Sequence, residues 1–394
     1  MARPFNGKIA HVDLTRRTIT TEEPPEKFYR DYGGGSAMGL YYILKKMPPR
    51  ADALSPENVL TFFTGVPTGL PVSGQSRLAV NAKSPLSGAI GDSQSGGFAP
   101  AVFKGAGFDG LVVTGKAAAP VYLYLHDGQA EIRSAAHLWG LTTDACEEKL
   151  RAELGDDKIE VVQIGPAGEK GSRIANIINM RSRANGRTGM GAVMGSKNLK
   201  AVVLKGGVKL EAADPKGIAA LARLGVKSLE DNADVKDLQV NGTAGVVAFQ
   251  NLYGSLPTRN YNEGQFEDFE KIAGDQLTDH LLKDRDTCYA CVVRCKRVVE
   301  AEYLERAISP QFGGPEYETI ATMGSYCGVN DLKAVALASA LCNQYGLDTI
   351  AAGASVAFAM ECYENGLLTR EQTGGLELRF GNAEAMLTLV EQMA

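Results

Sequence analysis

The stretch KAVVLKGGVKLEAADPKGIAALARLGVKSLED, Lys200–Asp231, changes its period half-way along. Its start is a short run of Val and Leu closed by Gly206 and Gly207, the pattern of a buried strand. From Asp214 onward the apolar residues recur at helical spacing, with Asp214 placed to cap. The boundary is therefore set near residues 206–212, dividing the chain into a β-rich region, 1–207, and an α-helical region, 208–394. The fold class expected is α+β.

Upstream of that boundary the chain is strand-rich. KIAHVDLTRRTITTEE (Lys8–Glu23) alternates across a polar turn, as in a hairpin. NVLTFF, RLAVNAKS, GLVVTGK, PVYLYLHDG, AEIRSA and IEVVQIG are further short runs bounded by Gly, Pro, Ser or Asp. Only SAMGLYYILKKM, stopping before Pro48-Pro49, and TTDACEEKLRAEL read as helices. Strands that do not alternate regularly with helices predict an antiparallel sandwich or barrel-like layer instead of a doubly wound sheet. Downstream, GDQLTDHLLKD, DLKAVALASALCNQYG, TIAAGASVAFAMECYENG and GNAEAMLTLVEQMA all carry helical periodicity. In the last of these, Met386, Leu387, Leu389, Val390 and Met393 form an apolar stripe that needs a partner. The pattern breaks off at Ala394, so a longer polypeptide is expected.

Composition excludes several function classes. The chain has 394 residues, 44% hydrophobic and 22% charged, with a net charge of −5. No polycation or Lys/Arg block offers itself to nucleic acid. No apolar run reaches the ~18 residues of a membrane span, and the N-terminus has no signal-like apolar core. A cytoplasmic location is expected. Seven cysteines then favour reduced thiols or metal ligation over disulfides.

CYACVVRC, Cys288–Cys295, spaces three thiols as C-x2-C-x3-C. Cys288, Cys291 and Cys295 can occupy three corners of an iron–sulfur cube, with Arg294, Lys296 and Arg297 offsetting its negative charge. A structural zinc site, which takes its ligands in pairs, is the rival reading; idle buried cysteines are the third. Cys146, Cys327, Cys342 and Cys362 lie on helical patterns and read as core.

Two glycine clusters imitate nucleotide loops. DYGGGSAMG (Asp31–Gly39) does not follow a strand, and NGRTGMGAVMGSKNLK (Asn185–Lys200) has neither Walker nor dinucleotide spacing. What remains is a Gly-rich loop with Arg183, Arg187 and Lys197, suited to an anionic, phosphate-bearing ligand or simply to a tight corner. SQSGG (Ser93–Gly97) and VSGQSRLAV (Val72–Val80, with Arg77) read as flexible turns. The four histidines form no metal motif. In FGGPEYET, Glu316 and Glu318 fall at a helix start, where dipole compensation explains them equally well.

Taken in order, LSPEN, TGLPVSG, KSPLSGAI, SGG, IGPAGE, GRTGMGAVMGSKNLKAV, CYAC-x3-C, GPEYET, NDL and YGLDTI resemble the aldehyde:ferredoxin oxidoreductase family of tungsten (sometimes molybdenum) bis-pterin enzymes. The resemblance implies an N-terminal domain of two β-sheets that carries two pterins, followed by helical domains. It implies oxidation of a small aldehyde to a carboxylic acid, with electrons passing through a [4Fe–4S] cluster to ferredoxin or another electron-carrier subunit. Relatives that reduce an aromatic acyl-CoA or acid, and a non-catalytic fragment, are the alternatives. By position, Arg77, Gly96, Arg183, Ala184, Gly186 and Arg187 correspond to pterin-phosphate contacts. Leu347 and Asp348 correspond to the pterin contact of the helical region, and Glu318 to a glutamate near the substrate cavity. Cys288, Cys291 and Cys295 correspond to three of the four cluster ligands. Gln94 stands where the family usually has Asn, at a turn whose carbonyl helps bind the Mg2+ bridging the pterin phosphates. Asn343 replaces a frequent Asp and contributes a pterin hydrogen bond. Leu337-Ala338-Ser339-Ala340 replaces an E-x-x-H of some relatives, so no intersubunit metal site is expected, although a homodimer remains possible. The fourth cysteine, and with it the C-terminal domain, is expected to be missing.

Overall fold

The computed structural model describes residues 3–394, and they divide into two compact units. The first takes the described part of Met1–Ser228 and two later stretches, Cys288–Val292 and Tyr345–Leu347. The second takes Leu229–Thr287, Val293–Gln344 and Asp348–Ala394.

Twelve strands make two six-stranded sheets in the first unit. One contains β1 (Ile9–Asp13), β2 (Thr18–Glu22), β3 (Leu60–Thr64), β4 (Leu78–Lys83), β5 (Ile90–Ser95) and β6 (Gly110–Thr114), in the order β2-β1-β6-β3-β4-β5. The other contains β7 (Val121–His126), β8 (Gln129–Ser134), β9 (Glu160–Gln163), β10 (Ile177–Asn179), β11 (Arg183–Asn185) and β12 (Leu199–Lys205), in the order β11-β10-β9-β12-β7-β8. One core draws Val12, Phe62, Val80 and Leu111 from the first sheet and Leu123, Val162, Ile177 and Val202 from the second. Each such side chain stabilises the fold by ~1.5–3 kcal/mol on burial.

A helix covers each outer face. Gly35–Lys46 lays Met38, Tyr42 and Ile43 against Phe63 and Val112, and Thr143–Leu154 lays Cys146 and Leu150 against Tyr122, Val161 and Val203. The central strand β3 is consequently buried along its whole length, which is why LTFF shows no alternation. The glycines near residue 35 serve this packing: a Cβ on Gly39 would lie 2.5 Å from Asn81 Oδ1 and 2.7 Å from Thr61 Oγ1.

Two expectations need correction. The sheets are mixed, not antiparallel, because β1 pairs with β6 and β7 with β12 in parallel register. Four further helical segments interrupt the strands, Glu26–Tyr32, Ala99–Gly105, Pro166–Glu169 and Met190–Ser196. Parallel pairing joins residues about a hundred positions apart in β1–β6 and about eighty in β7–β12, so no local pattern announces it.

The second unit is mainly helical. It includes Ala233–Asn241, Gly274–His280, Tyr317–Met323, Leu332–Tyr345 as far as Gln344, Thr349–Glu364 and Ala383–Gln392. Asp348 caps its helix with both carboxylate oxygens, accepting from the N–H groups of Ile350 and Ala351. The apolar stripe of the last helix is covered inside this unit: Met386, Leu387 and Val390 are buried as it packs on Thr349–Glu364. Periodicity did not reveal two small hairpins. β13 (Leu282–Asp286) pairs with β14 (Lys296–Val299), and β15 (Ala301–Tyr303) with β16 (Arg306–Ile308). All three cysteines of CYACVVRC lie in the connection between β13 and β14.

Candidate cofactor site

In the first unit, the ends of β5 and β11 come together. Side chains on the inward face of β5 weave the two sheets: Ser95 Oγ donates to Asn185 Oδ1 at 2.9 Å, and Asn179 Nδ2 donates to Ser95 Oγ at 3.0 Å. Asn185 Nδ2 donates to the carbonyls of Leu78 and Ser93. The strand ends in Gly96 and Gly97, the latter at φ +100°, a conformation that excludes ordinary side chains. A Cβ on Gly97 would lie 2.8 Å from Asn179 Oδ1 and 3.2 Å from Arg183 Cγ.

This corner gathers several residues assigned from the sequence. Arg183 is buried on β11 and pairs across the strand with Asn179; Ala184 and Gly186 flank it half-buried, and Arg187 is exposed. Arg77 is exposed, with Nη1 3.8 Å from the Cβ position of Gly96. Gln94 faces solvent and donates to Ser36 Oγ at 3.2 Å. Leu347 reaches the same unit as a β-bridge to Ala175, and its carbonyl accepts from Asn176 Nδ2 at 2.8 Å.

Lys197 does not belong to the corner. Its ammonium is buried and donates to the carbonyls of Pro56 (3.3 Å), Asn58 (2.5 Å) and Gly115 (3.1 Å), so it ties loops together and offers nothing to an anion. Burial pulls its pKa down to about 8.

The cysteine turn also packs on this unit. Cys291 N–H donates to Cys288 O at 3.1 Å, and Ala290 adopts φ +55° at the turn's second central position, where glycine is usual. Such strain persists only where the surroundings over-determine it. Here the Tyr289 N–H donates to Gly97 O at 3.1 Å, and Ser76 Oγ donates to the same carbonyl at 2.7 Å. Ser73 Oγ donates to Cys291 Sγ at 3.6 Å. Gly96 leaves room for Cys288: a Cβ there would lie 2.7 Å from Sγ.

The remaining assigned residues lie in the second unit. The backbone at Cys295 is held by its neighbour Arg297, which donates to the carbonyls of Val240, Gln239 and Arg294. Glu316 accepts from Thr243 Oγ1 and from Lys296 Nζ (3.0 Å), and Thr243 Oγ1 accepts from the Tyr317 N–H at 2.9 Å. Glu318 is exposed in the first turn of Tyr317–Met323. Asn343 Nδ2 donates to Phe312 O at 2.9 Å. Among the described residues, no three His, Cys, Asp or Glu side chains converge to hold a metal ion; Cys288 and Cys291 belong to one unit and Cys295 to the other.

Sequence reasoning passed over Ser73, Ser76, Asn179 and Gly97. The available signal was the pair of Ser-Gly turns, one before β4 and one at the end of β5, which only the antiparallel pairing of those strands brings to one cysteine loop.

Two family models match this chain. Residues 9–206 match the N-terminal domain of aldehyde ferredoxin oxidoreductase, and residues 220–394 match its domains 2 and 3. The chain belongs to the aldehyde ferredoxin oxidoreductase family. The second match corrects the expectation of a missing C-terminal domain, since residues 220–394 are themselves matched to domains 2 and 3. The tungsten-containing aldehyde ferredoxin oxidoreductase of Pyrococcus abyssi is 40% identical over 98% of this chain, and that of Thermococcus kodakarensis 38%. An aliphatic sulfonate oxidoreductase, WOR-like subunit, of Pyrococcus furiosus is 32% identical. This member of the family spans 64% of the length of each of those relatives. Among solved structures, the active-site complex BamBC of benzoyl coenzyme A reductase with 1,5-dienoyl-CoA superposes with a TM-score of 0.83 at 27% identity, covering the whole chain and 64% of that one.

The residues present fit the family's cofactors. Asn179 Oδ1 and Ser93 Oγ are buried without a hydrogen-bond partner among the described residues, and Asn179 Oδ1 adjoins the glycine cradle. An acceptor there suits the amino and ring N–H groups of a pterin, as the arginines suit its phosphate. Two half-exposed thiols on a strained turn suit iron.

Proposed function

We propose that this chain works in a tungsten oxidoreductase that converts a small aldehyde to a carboxylic acid. The observation that carries the reading is the joining of the Gly96-Gly97 cradle, the arginine corner and the cysteine turn within one compact unit. Region 1–207 would hold the pterins and region 208–394 would line the substrate side. When bound, tungsten (or molybdenum) bis-pterin supplies the two-electron oxidation, and the [4Fe–4S] cluster supplies one-electron transfer to ferredoxin or another carrier subunit.

The chain's own residues would act as follows. Arg77, Arg183 and Arg187 bind pterin phosphates, with Ala184 and Gly186 admitting them to the backbone. The Gln94 carbonyl contributes to the bridging Mg2+. Asn343, Leu347 and Asp348 meet the pterin from the other stretch of chain. Cys288, Cys291 and Cys295 hold iron. Glu318, exposed at a helix N-terminus, accepts a proton or positions water. No helix among the described residues is long and apolar enough to cross a membrane. We place the protein in the cytoplasm, without nucleic-acid partners, and allow for a homodimer.

A second reading, reduction of an aromatic acyl-CoA, is favoured by the superposition on the benzoyl coenzyme A reductase complex. Anaerobic purification from a tungsten-fed host, followed by assay of tungsten, pterin, iron and sulfide, tests the common ground. Pterin and tungsten should co-purify with iron. Protein that carries none of them would sink both readings. Viologen reduction driven by a short aldehyde, but not viologen oxidation by an aromatic acyl-CoA, then selects the first.

A further inference from the structure

We infer that Ser73 sets the reduction potential of the iron–sulfur centre through its hydrogen bond to Cys291, an inference that rests on the reading of Cys288 and Cys291 as cluster ligands. Ser73 lies in the turn that precedes β4, and its Oγ is 3.6 Å from Cys291 Sγ and 3.0 Å from Val292 N. The Val292 amide has only a proton to give, so the Ser73 oxygen must accept there. Its own proton is thereby directed at the sulfur. A ligated thiolate is a stronger acceptor than a thiol, so the bond tightens once iron is bound. Adding an electron to the cluster raises the negative charge on its sulfurs. A donor aimed at one of them therefore stabilises the reduced form over the oxidised one and raises the potential.

The geometry separates this role from a merely structural one. The turn is also anchored by the Tyr289 N–H on Gly97 O and by Gln75 Nε2 on Tyr289 O, 3.5 Å away. Neither contact needs the Ser73 hydroxyl.

The test uses the full chain, reconstituted anaerobically with iron and sulfide and titrated by electron paramagnetic resonance. Ser73→Ala should take up the same iron and sulfide yet titrate at a more negative potential. At fixed potential its reduced-to-oxidised ratio should fall roughly tenfold, 59 mV for a one-electron couple. Ser73→Thr, which keeps the hydroxyl, should stay near the wild type. A fully loaded Ser73→Ala protein with the wild-type potential would overturn the inference, as would equal shifts in the Ala and Thr variants. A wild-type chain that takes up no cluster would remove the ligand reading itself, and the inference with it.

Discussion

The first unit buries polar groups in two regions, and it treats them differently. On one side, Lys104 and Asp109 form a 2.7 Å ion pair with both side chains almost inaccessible. Every other lobe of that carboxylate is used: it accepts from the amides of Asn6, Gly7 and Lys8 and from Tyr29 Oη. Lys197 is likewise saturated by three carbonyls. At the β5–β11 corner, buried Asn179 Oδ1 and Ser93 Oγ have no partner among the described residues. An unsatisfied buried acceptor costs about 1–3 kcal/mol, a cost that the pterin proposed for this corner would offset.

The sharpest way to break this contrast is to damage the saturated side. Asp109→Ala strands a buried ammonium and four donors, and should destabilise the protein by ~3–5 kcal/mol. Urea unfolding measures it; a loss under 1 kcal/mol would mean the pair relaxes into water.

Lys197→Met should cost less, about 2 kcal/mol, because the carbonyls of Asn58 and Gly115 lose the ammonium, while Pro56 O keeps the Gly115 N–H. It carries a pH signature. The folded-state pKa, about 8, lies below the unfolded value near 10.5, so the unfolded chain binds more protons between those limits. Stability from this group rises with pH across that window, and the Met variant should lose that rise. Unfolding curves at pH 7.5, 9 and 10.5 compare the slopes.

The smallest stability change is expected on the ligand side. Arg77→Ala removes an exposed side chain and should shift stability by no more than ~0.5 kcal/mol, yet bound pterin and tungsten should fall together. Unchanged metal content would take Arg77 out of the site.

The sequence carried the strands well, because Val, Ile and Leu runs between Gly and Pro are local signals; it did not show that the first compact unit runs on to Ser228 and takes two later stretches. It hid the helices Ala99–Gly105 and Met190–Ser196, whose Gly, Pro and Ala content reads as loop. Lys197 was misread because a basic residue in a glycine loop looks the same whether it meets phosphate or carbonyls. The cysteine spacing was plain from the start. Its neighbours Ser73 and Gly97 were not, since they lie about 200 positions upstream.

The first unit is also completed out of order. Gly346 and Leu347 sit against Gly165, Ala175 and Asn176, and a Cβ on Gly165 would lie 2.2 Å from Tyr345 O. A nascent chain emerging at ~5–20 residues per second reaches Leu347 roughly 6–24 s after Ser228. Through that interval the edge that takes up Tyr345–Leu347 awaits the rest of its own unit, and the cradle that takes up the cysteine turn waits for about the first half of it. During synthesis, then, the first unit must hold these two surfaces open for seconds before its own later residues can cover them.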